Sequence, residues 1–125
     1  MIKDLEAAIG YRFQNITLLQ NALTHSSYAN ELKARKKIVR CNERLEFFGD
    51  SVLSLIVSDY LYFRYVSNQE GDMTKIRAAV VCERALAKYA AKIGLGDYLY
   101  LGHGEEINRG RERASITSDA FEAVL

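Results

Sequence analysis

Between residues 43 and about 66 apolar side chains point in almost every direction of a helical wheel. At about 100° per residue, Leu45, Phe48, Val52, Leu53, Leu55, Ile56, Tyr60 and Leu61 are spread around it. A helix that is apolar nearly all round is expected to be buried, so this segment is read as a long central helix inside the fold. One narrow stripe is different. Glu43, Glu46 and Asp50 fall within an arc of roughly 60°. Like charges at that spacing repel, and burial raises the cost of keeping them ionised.

The remaining pattern is helical too. Residues 2–9 have helical spacing and stop at Gly10. Residues 17–23 form a short second helix, with Asn15 or Thr17 as its N-cap. Residues 33–40 are basic and lack apolar periodicity, which predicts a loop or a frayed helix end. Residues 68–71 are expected to connect, and Asp72 to cap a helical region over residues 73–93. Ile76, Ala79, Val80, Leu86, Ala90 and Ile93 should form its buried face, and Gly94 and Gly96 its end. A short helical turn is expected over 97–101, a charged, Gly-bearing loop over 102–114, and a final helix from near Ser115. No segment alternates with period two, so the fold class is all-α, a helical bundle around the long central helix.

Composition narrows the picture only slightly. The 125 residues fit one domain, and the formal charge of +1 does not advertise a nucleic-acid partner. Cys41 and Cys82 form no framework of spacings and are read as free thiols of a reducing compartment. The longest apolar run is interrupted by Ser54, Ser58, Asp59 and Arg64, so no membrane span is expected. No apolar signal core follows Met1, which points to a cytoplasmic location.

The last helix supplies a second acidic pair. Asp119 and Glu122, three residues apart, share a face. Taken alone, either acidic group reads as a solvated helix edge. Taken together, Glu46, Asp50, Asp119 and Glu122 would make an oxygen-only site suited to Mg²⁺, with Mn²⁺ as a substitute. Other chemistries have less support. With only His25 and His103 available, no serine has a histidine partner that the sequence can place. A di-iron bundle would need two Glu-x-x-His pairs, and none exists.

At this point a family resemblance is apparent. Asn42-Glu43-Arg44-Leu45-Glu46-Phe47-Phe48-Gly49-Asp50-Ser51 resembles the signature of the ribonuclease III endonuclease domain. Four further segments match in order: Ala22-Leu23-Thr24-His25-Ser26-Ser27-Tyr28, Glu70-Gly71-Asp72-Met73-Thr74-Lys75-Ile76-Arg77, Gly104-Glu105-Glu106, and Ser118-Asp119-Ala120-Phe121-Glu122-Ala123. The resemblance implies metal-assisted hydrolysis of double-stranded RNA by a homodimer. It leaves 5′-phosphate and 3′-hydroxyl ends with two-nucleotide 3′ overhangs, in the processing of ribosomal RNA precursors and other structured RNAs. It implies Glu46, Asp50, Asp119 and Glu122 as metal ligands, Glu43 and Glu70 as further acidic site residues, and Phe47 as the aromatic that enters a partner subunit. Arg109, Arg111 and Arg113, with Lys33, Arg35, Lys36 and Lys37, are candidates for phosphate contact. By the same resemblance the chain is a catalytic domain cut short at its C-terminal end, without the double-stranded RNA-binding domain that usually follows. Phe48, Cys41 and Thr117-Ser118 depart from the usual pattern, but no acidic ligand is missing. Relatives that have lost catalysis and serve as binding modules are the alternative class, and loss there is expected to show as a missing carboxylate.

Overall fold

The computed structural model describes all 125 residues. Eight α-helices follow one another: α1 Ile2–Ile9, α2 Ile16–Ala22, α3 Ser26–Ala34, α4 Glu43–Arg64, α5 Glu70–Val81, α6 Glu83–Lys92, α7 His103–Ile107 and α8 Ala114–Val124. Two 3₁₀ turns, Leu95–Tyr98 and Gly110–Glu112, lie between α6 and α8. There is no strand, only an isolated bridge between Thr24 and Tyr100. The all-α reading holds.

Local chemistry sets the element ends. Gly10 takes the left-handed conformation that closes α1, at φ 78°, and its N–H donates to the Glu6 carbonyl. Asn15, not Thr17, caps α2: its side-chain oxygen accepts the Leu18 N–H at 3.1 Å. Residues 26–34, for which the apolar pattern gave no expectation, form a helix that His25 caps by accepting the Ser27 N–H, and its end at Ala34 fits the loop or frayed end expected over 33–40. Two expectations need correction. The region 73–93 is two helices, broken where Cys82 turns extended at ψ 159°. Glu70 opens α5 behind Gln69, so residues 70–71 are helical rather than connecting, and Asp72 lies inside the first turn. The stretch 102–114 also holds more order than a loop, since it contains α7 and the second 3₁₀ turn.

The core gathers Leu5, Leu19, Leu23, Ala90, Leu95, Leu99, Leu101, Ile116 and Ala120 from α1, α2, α6, α8 and the segment around the first 3₁₀ turn. Leu86 and Ala90 are buried and Ile76, Val80 and Ile93 half-buried as expected, but Ala79 is exposed. The largest departure concerns α4. Of its 22 residues only Gly49 and Leu61 are buried. Phe47, Phe48, Leu55, Tyr62, Phe63 and Val66 are exposed. The helix packs mainly against α5 and α8, so much of its other apolar surface is left exposed. Exposed apolar surface of that extent marks an interaction face.

One buried polar residue ties the start of α4 to the core. The Asn42 side-chain amide donates to the Ala22 carbonyl at 3.1 Å, and its backbone N–H donates to the Thr24 carbonyl at 2.8 Å. Asn42 is 5 % exposed, so neither group can turn to water. Asn42→Ala strands the Ala22 carbonyl without its partner and should cost about 1–3 kcal/mol, read as a lower midpoint in urea denaturation.

Candidate active site

The site forms where α4 crosses α8, and the crossing depends on Gly49. A β-carbon built at Gly49 would sit 1.9 Å from the Glu122 carbonyl oxygen and 2.6 Å from its carbon. No side chain fits there. The two backbones touch, and the residues beside the contact, Asp50 on α4 and Glu122 on α8, are forced together. One turn earlier on each helix, Glu46 meets Asp119. The packing under this crossing comes from Ile116, Ala120 and Ala123, all buried on α8. The polar start of that helix causes no conflict. The buried hydroxyls of Thr117 and Ser118 donate to the backbone one turn back, at Arg113 and Ser115.

The electrostatics follow from the geometry. Burial, then the charges of Asp50, Glu46 and Asp119, push the Glu122 carboxyl up to about 7. Burial, then Asp119, Asp50 and Glu43, raise Glu46. Burial and the charge of Glu83 raise Asp119, against a lowering pull from His25. Every charge acting on Glu46 and Glu122 is acidic. The carboxyls settle into two pairs, each within hydrogen-bonding reach across the crossing: Glu46 with Asp119, and Asp50 with Glu122. They do not close on a single point, and no three acidic, histidine or cysteine side chains form a ready cage. The donor set nevertheless fits a hard divalent cation. It is oxygen only, carries excess negative charge, and shares protons that a cation can displace.

The other sequence candidates are placed unequally. Glu43, exposed in the first turn of α4, adds its charge to Glu46. Glu70 stands apart: it lines a separate recess with Leu55, Tyr62 and Arg77, and is not among the charges acting on Glu46, Asp119 or Glu122. Phe47 is 78 % exposed, on the neighbouring face of α4. Arg111 is engaged within the chain. Four of its five N–H groups are taken, two by the carbonyls of Gly96 and Leu99 and two by the Glu106 carboxylate. That fork staples the chain after α6 to α7 and leaves it little to offer a phosphate. Arg113 faces Glu105 at 3.5 Å, while Arg109 and Glu112 form an exposed pair. Glu83 was not singled out from the sequence. Its approach to Asp119 comes from the break at Cys82, which no local signal announces.

Two outcomes follow. Gly49→Ala should pry α4 from α8, lowering the thermal midpoint and separating the carboxyl pairs, because the obstacle is backbone and cannot swing aside. The second concerns pH. The folded chain keeps the Glu122 proton over a range, roughly 4.5 to 7, in which the unfolded chain has lost it. The contribution of this group to stability is therefore greatest at acid pH and is lost as pH rises through 7. Denaturation midpoints should fall between pH 5 and 8, and Glu122→Gln should flatten that fall. A decline of equal slope in the variant would contradict the assignment.

Comparison with known proteins places the chain in a family. A family model described as ribonuclease-III-like matches residues 15–125. The chain is 50% identical over 124 residues to Ribonuclease 3 of Clostridium tetani, covering 99% of this chain and 51% of that protein. It is 54% identical over 125 residues to Ribonuclease 3 of Caldanaerobacter subterraneus subsp. tengcongensis, covering 100% of this chain and 54% of that protein. The chain thus spans about half the length of the curated relatives it matches. Among solved structures it resembles a nuclease domain of ribonuclease III from Campylobacter jejuni, described for flexibility in a region involved in dimer formation. The TM-score is 0.89 at 44% identity, over 99% of this chain and 81% of that one. The match across residues 15–125, with half of all positions shared with these relatives, means that this chain belongs to the ribonuclease III family.

Proposed function

We propose that this chain is the catalytic part of a divalent-metal-dependent endonuclease that hydrolyses double-stranded RNA. The observation that carries the reading is the facing of two carboxyl pairs, Glu46 with Asp119 and Asp50 with Glu122, across the Gly49 contact. Glu46, Asp50, Asp119 and Glu122 would hold the ion, Mg²⁺ by preference and Mn²⁺ as a substitute. When bound, the ion polarises a phosphate and acidifies water at neutral pH. The carboxylates fix where that charge sits. Their shared protons leave as it binds, so affinity rises with pH through the region where Glu122 titrates. Glu43 adds negative charge at the edge of the cluster, and Glu70 is kept as a further acidic residue of the assembled enzyme. The products are 5′-phosphate and 3′-hydroxyl ends.

The exposed face of α4 supports a homodimer with Phe47 as an anchor. It is apolar, aromatic-rich and exposed. Two copies related by a two-fold axis would carry two sites, one for each RNA strand, and so leave two-nucleotide 3′ overhangs. Recognition is of A-form shape and backbone rather than base sequence. Arg109, Arg113, Lys33, Arg35, Lys36 and Lys37 are the phosphate contacts, giving cleavage that weakens with salt. Ribosomal RNA precursors and other structured RNAs in the cytoplasm are the substrates of this reading. No helix is long and apolar enough to cross a membrane.

The test is cleavage of a long, mixed-sequence RNA duplex with Mg²⁺, with Ca²⁺ and with chelator. Mg²⁺-dependent products with 5′-phosphates and two-nucleotide overhangs are expected, and Glu122→Gln should abolish them while leaving the circular dichroism spectrum unchanged. Turnover retained in that variant would sink the ligand assignment. No cleavage by a folded, dimeric chain would favour a binding module. Phe47→Ala should cost about 2 kcal/mol of association or more, seen in sedimentation as a monomer–dimer shift of at least about 30-fold in concentration.

A further inference from the structure

In the second half of α4, Leu55, Tyr62 and Phe63 recur at helical spacing and form one stripe. All three are exposed. Among them, one turn after Leu55, stands an exposed acid, Asp59. The stripe walls a recess of about 520 Å³ between α4 and α5. From α5 the same recess takes Glu70, Met73, Thr74 and Arg77.

Arg77 is the anomaly here. It is half-buried, yet of its several N–H donors only Nη1 is engaged, donating to the Ser58 hydroxyl at 2.8 Å. Asp59 and Glu70 line the same recess, but neither comes within ion-pairing distance of the guanidinium. Buried arginines are normally paired. Opposite charges thus share one apolar-walled recess and stay apart within the chain.

A surface that carries both signs on an apolar ground is complementary to itself. Under a two-fold axis, any contact between unlike residues is made twice, with the roles exchanged. The recess also shares Leu55, Tyr62 and Phe63 with the exposed face of α4, so it continues the surface read above as a homodimer face. An RNA backbone fits less well, because two carboxylates beside the guanidinium repel phosphate.

We propose that the recess between α4 and α5 is a contact with a second copy of this chain, in which Arg77 pairs with Asp59 of the partner subunit and Asp59 with the partner subunit's Arg77. This inference rests on the homodimer reading above. The apolar stripe supplies area, while the paired charges set the register and reject other packings. Asp59 is assigned rather than Glu70 because it stands within the stripe that the second copy covers, whereas Glu70 lies in the first turn of α5.

A charge swap tests this on the full chain. Self-association of Arg77→Glu and of Asp59→Arg is measured by sedimentation equilibrium, each alone and in an equimolar mixture, with folding checked by circular dichroism. Alone, each variant sets like charges against each other at both contacts and should dimerise about 30-fold more weakly or worse. In the mixture both contacts regain opposite charges, so a heterodimer of near wild-type affinity is expected. If Arg77 only braces α5 against α4 through Ser58, mixing restores nothing. That result overturns the inference, while dimerisation of the wild-type chain keeps the homodimer reading. Wild-type dimerisation of both variants also overturns it, and weaker binding of an RNA duplex by Arg77→Glu would then assign the recess to a phosphate. Should Arg77→Glu fail to fold, Asp59→Arg decides alone: a folded chain that dimerises like wild type overturns the pairing. A wild-type chain that stays monomeric would overturn the homodimer reading and this inference together.

Discussion

The structure turns on the contact between two backbones at Gly49. Apolar burial around Ile116, Ala120 and Ala123 presses α8 against α4, and the missing side chain lets the helices approach until only glycine fits. That approach brings four carboxyls together, so that the charges of the other three act on Glu122 and those of Asp119 and Asp50 on Glu46. Packing supplies the force, and electrostatic repulsion is its cost. The cost shows as acids held protonated above their ordinary range, Glu122 most of all. A fold serving only its own stability would gain by replacing one member of each pair. Retaining all four fits a site in which a cation does the neutralising.

The same contact explains why the carboxyls pair rather than converge. A proton shared between two oxygens relieves repulsion locally, within each pair, and needs no common centre. A divalent cation relieves it for several ligands at once and favours convergence. The two arrangements use the same side chains and differ in what lies between them. The backbone crossing is common to both, so preorganisation resides in α4 and α8 more than in any side-chain position.

Much of this was legible in the sequence, for reasons that can be named. The acidic stripe of α4 and the pair on α8 follow from helical periodicity, and their spacing survives into the fold because both segments are helices throughout. The apolar surround of α4 was legible too, but its meaning was not. Periodicity reports which faces avoid water, not whether the cover comes from the same chain, and here Phe47, Leu55 and Phe63 stay exposed. The break at Cys82 and the helix after His25 were missed because each depends on one backbone conformation or one capping bond with no compositional mark. Arg111 looked like its neighbours Arg109 and Arg113. Only the tertiary approach of the Gly96 and Leu99 carbonyls distinguishes it. Family resemblance supplied the expected role of Glu70, which this chain alone does not bring to the site.

What occupies the space between α4 and α8 decides whether the four carboxyls serve a metal. A crystal of the chain soaked in Mn²⁺, with anomalous scattering recorded at the manganese edge, addresses that directly. The account predicts a peak bounded by Glu46, Asp50, Asp119 and Glu122, with the two carboxyl pairs drawn apart around it. A map with no peak there, and the pairs still closed upon each other, would contradict it.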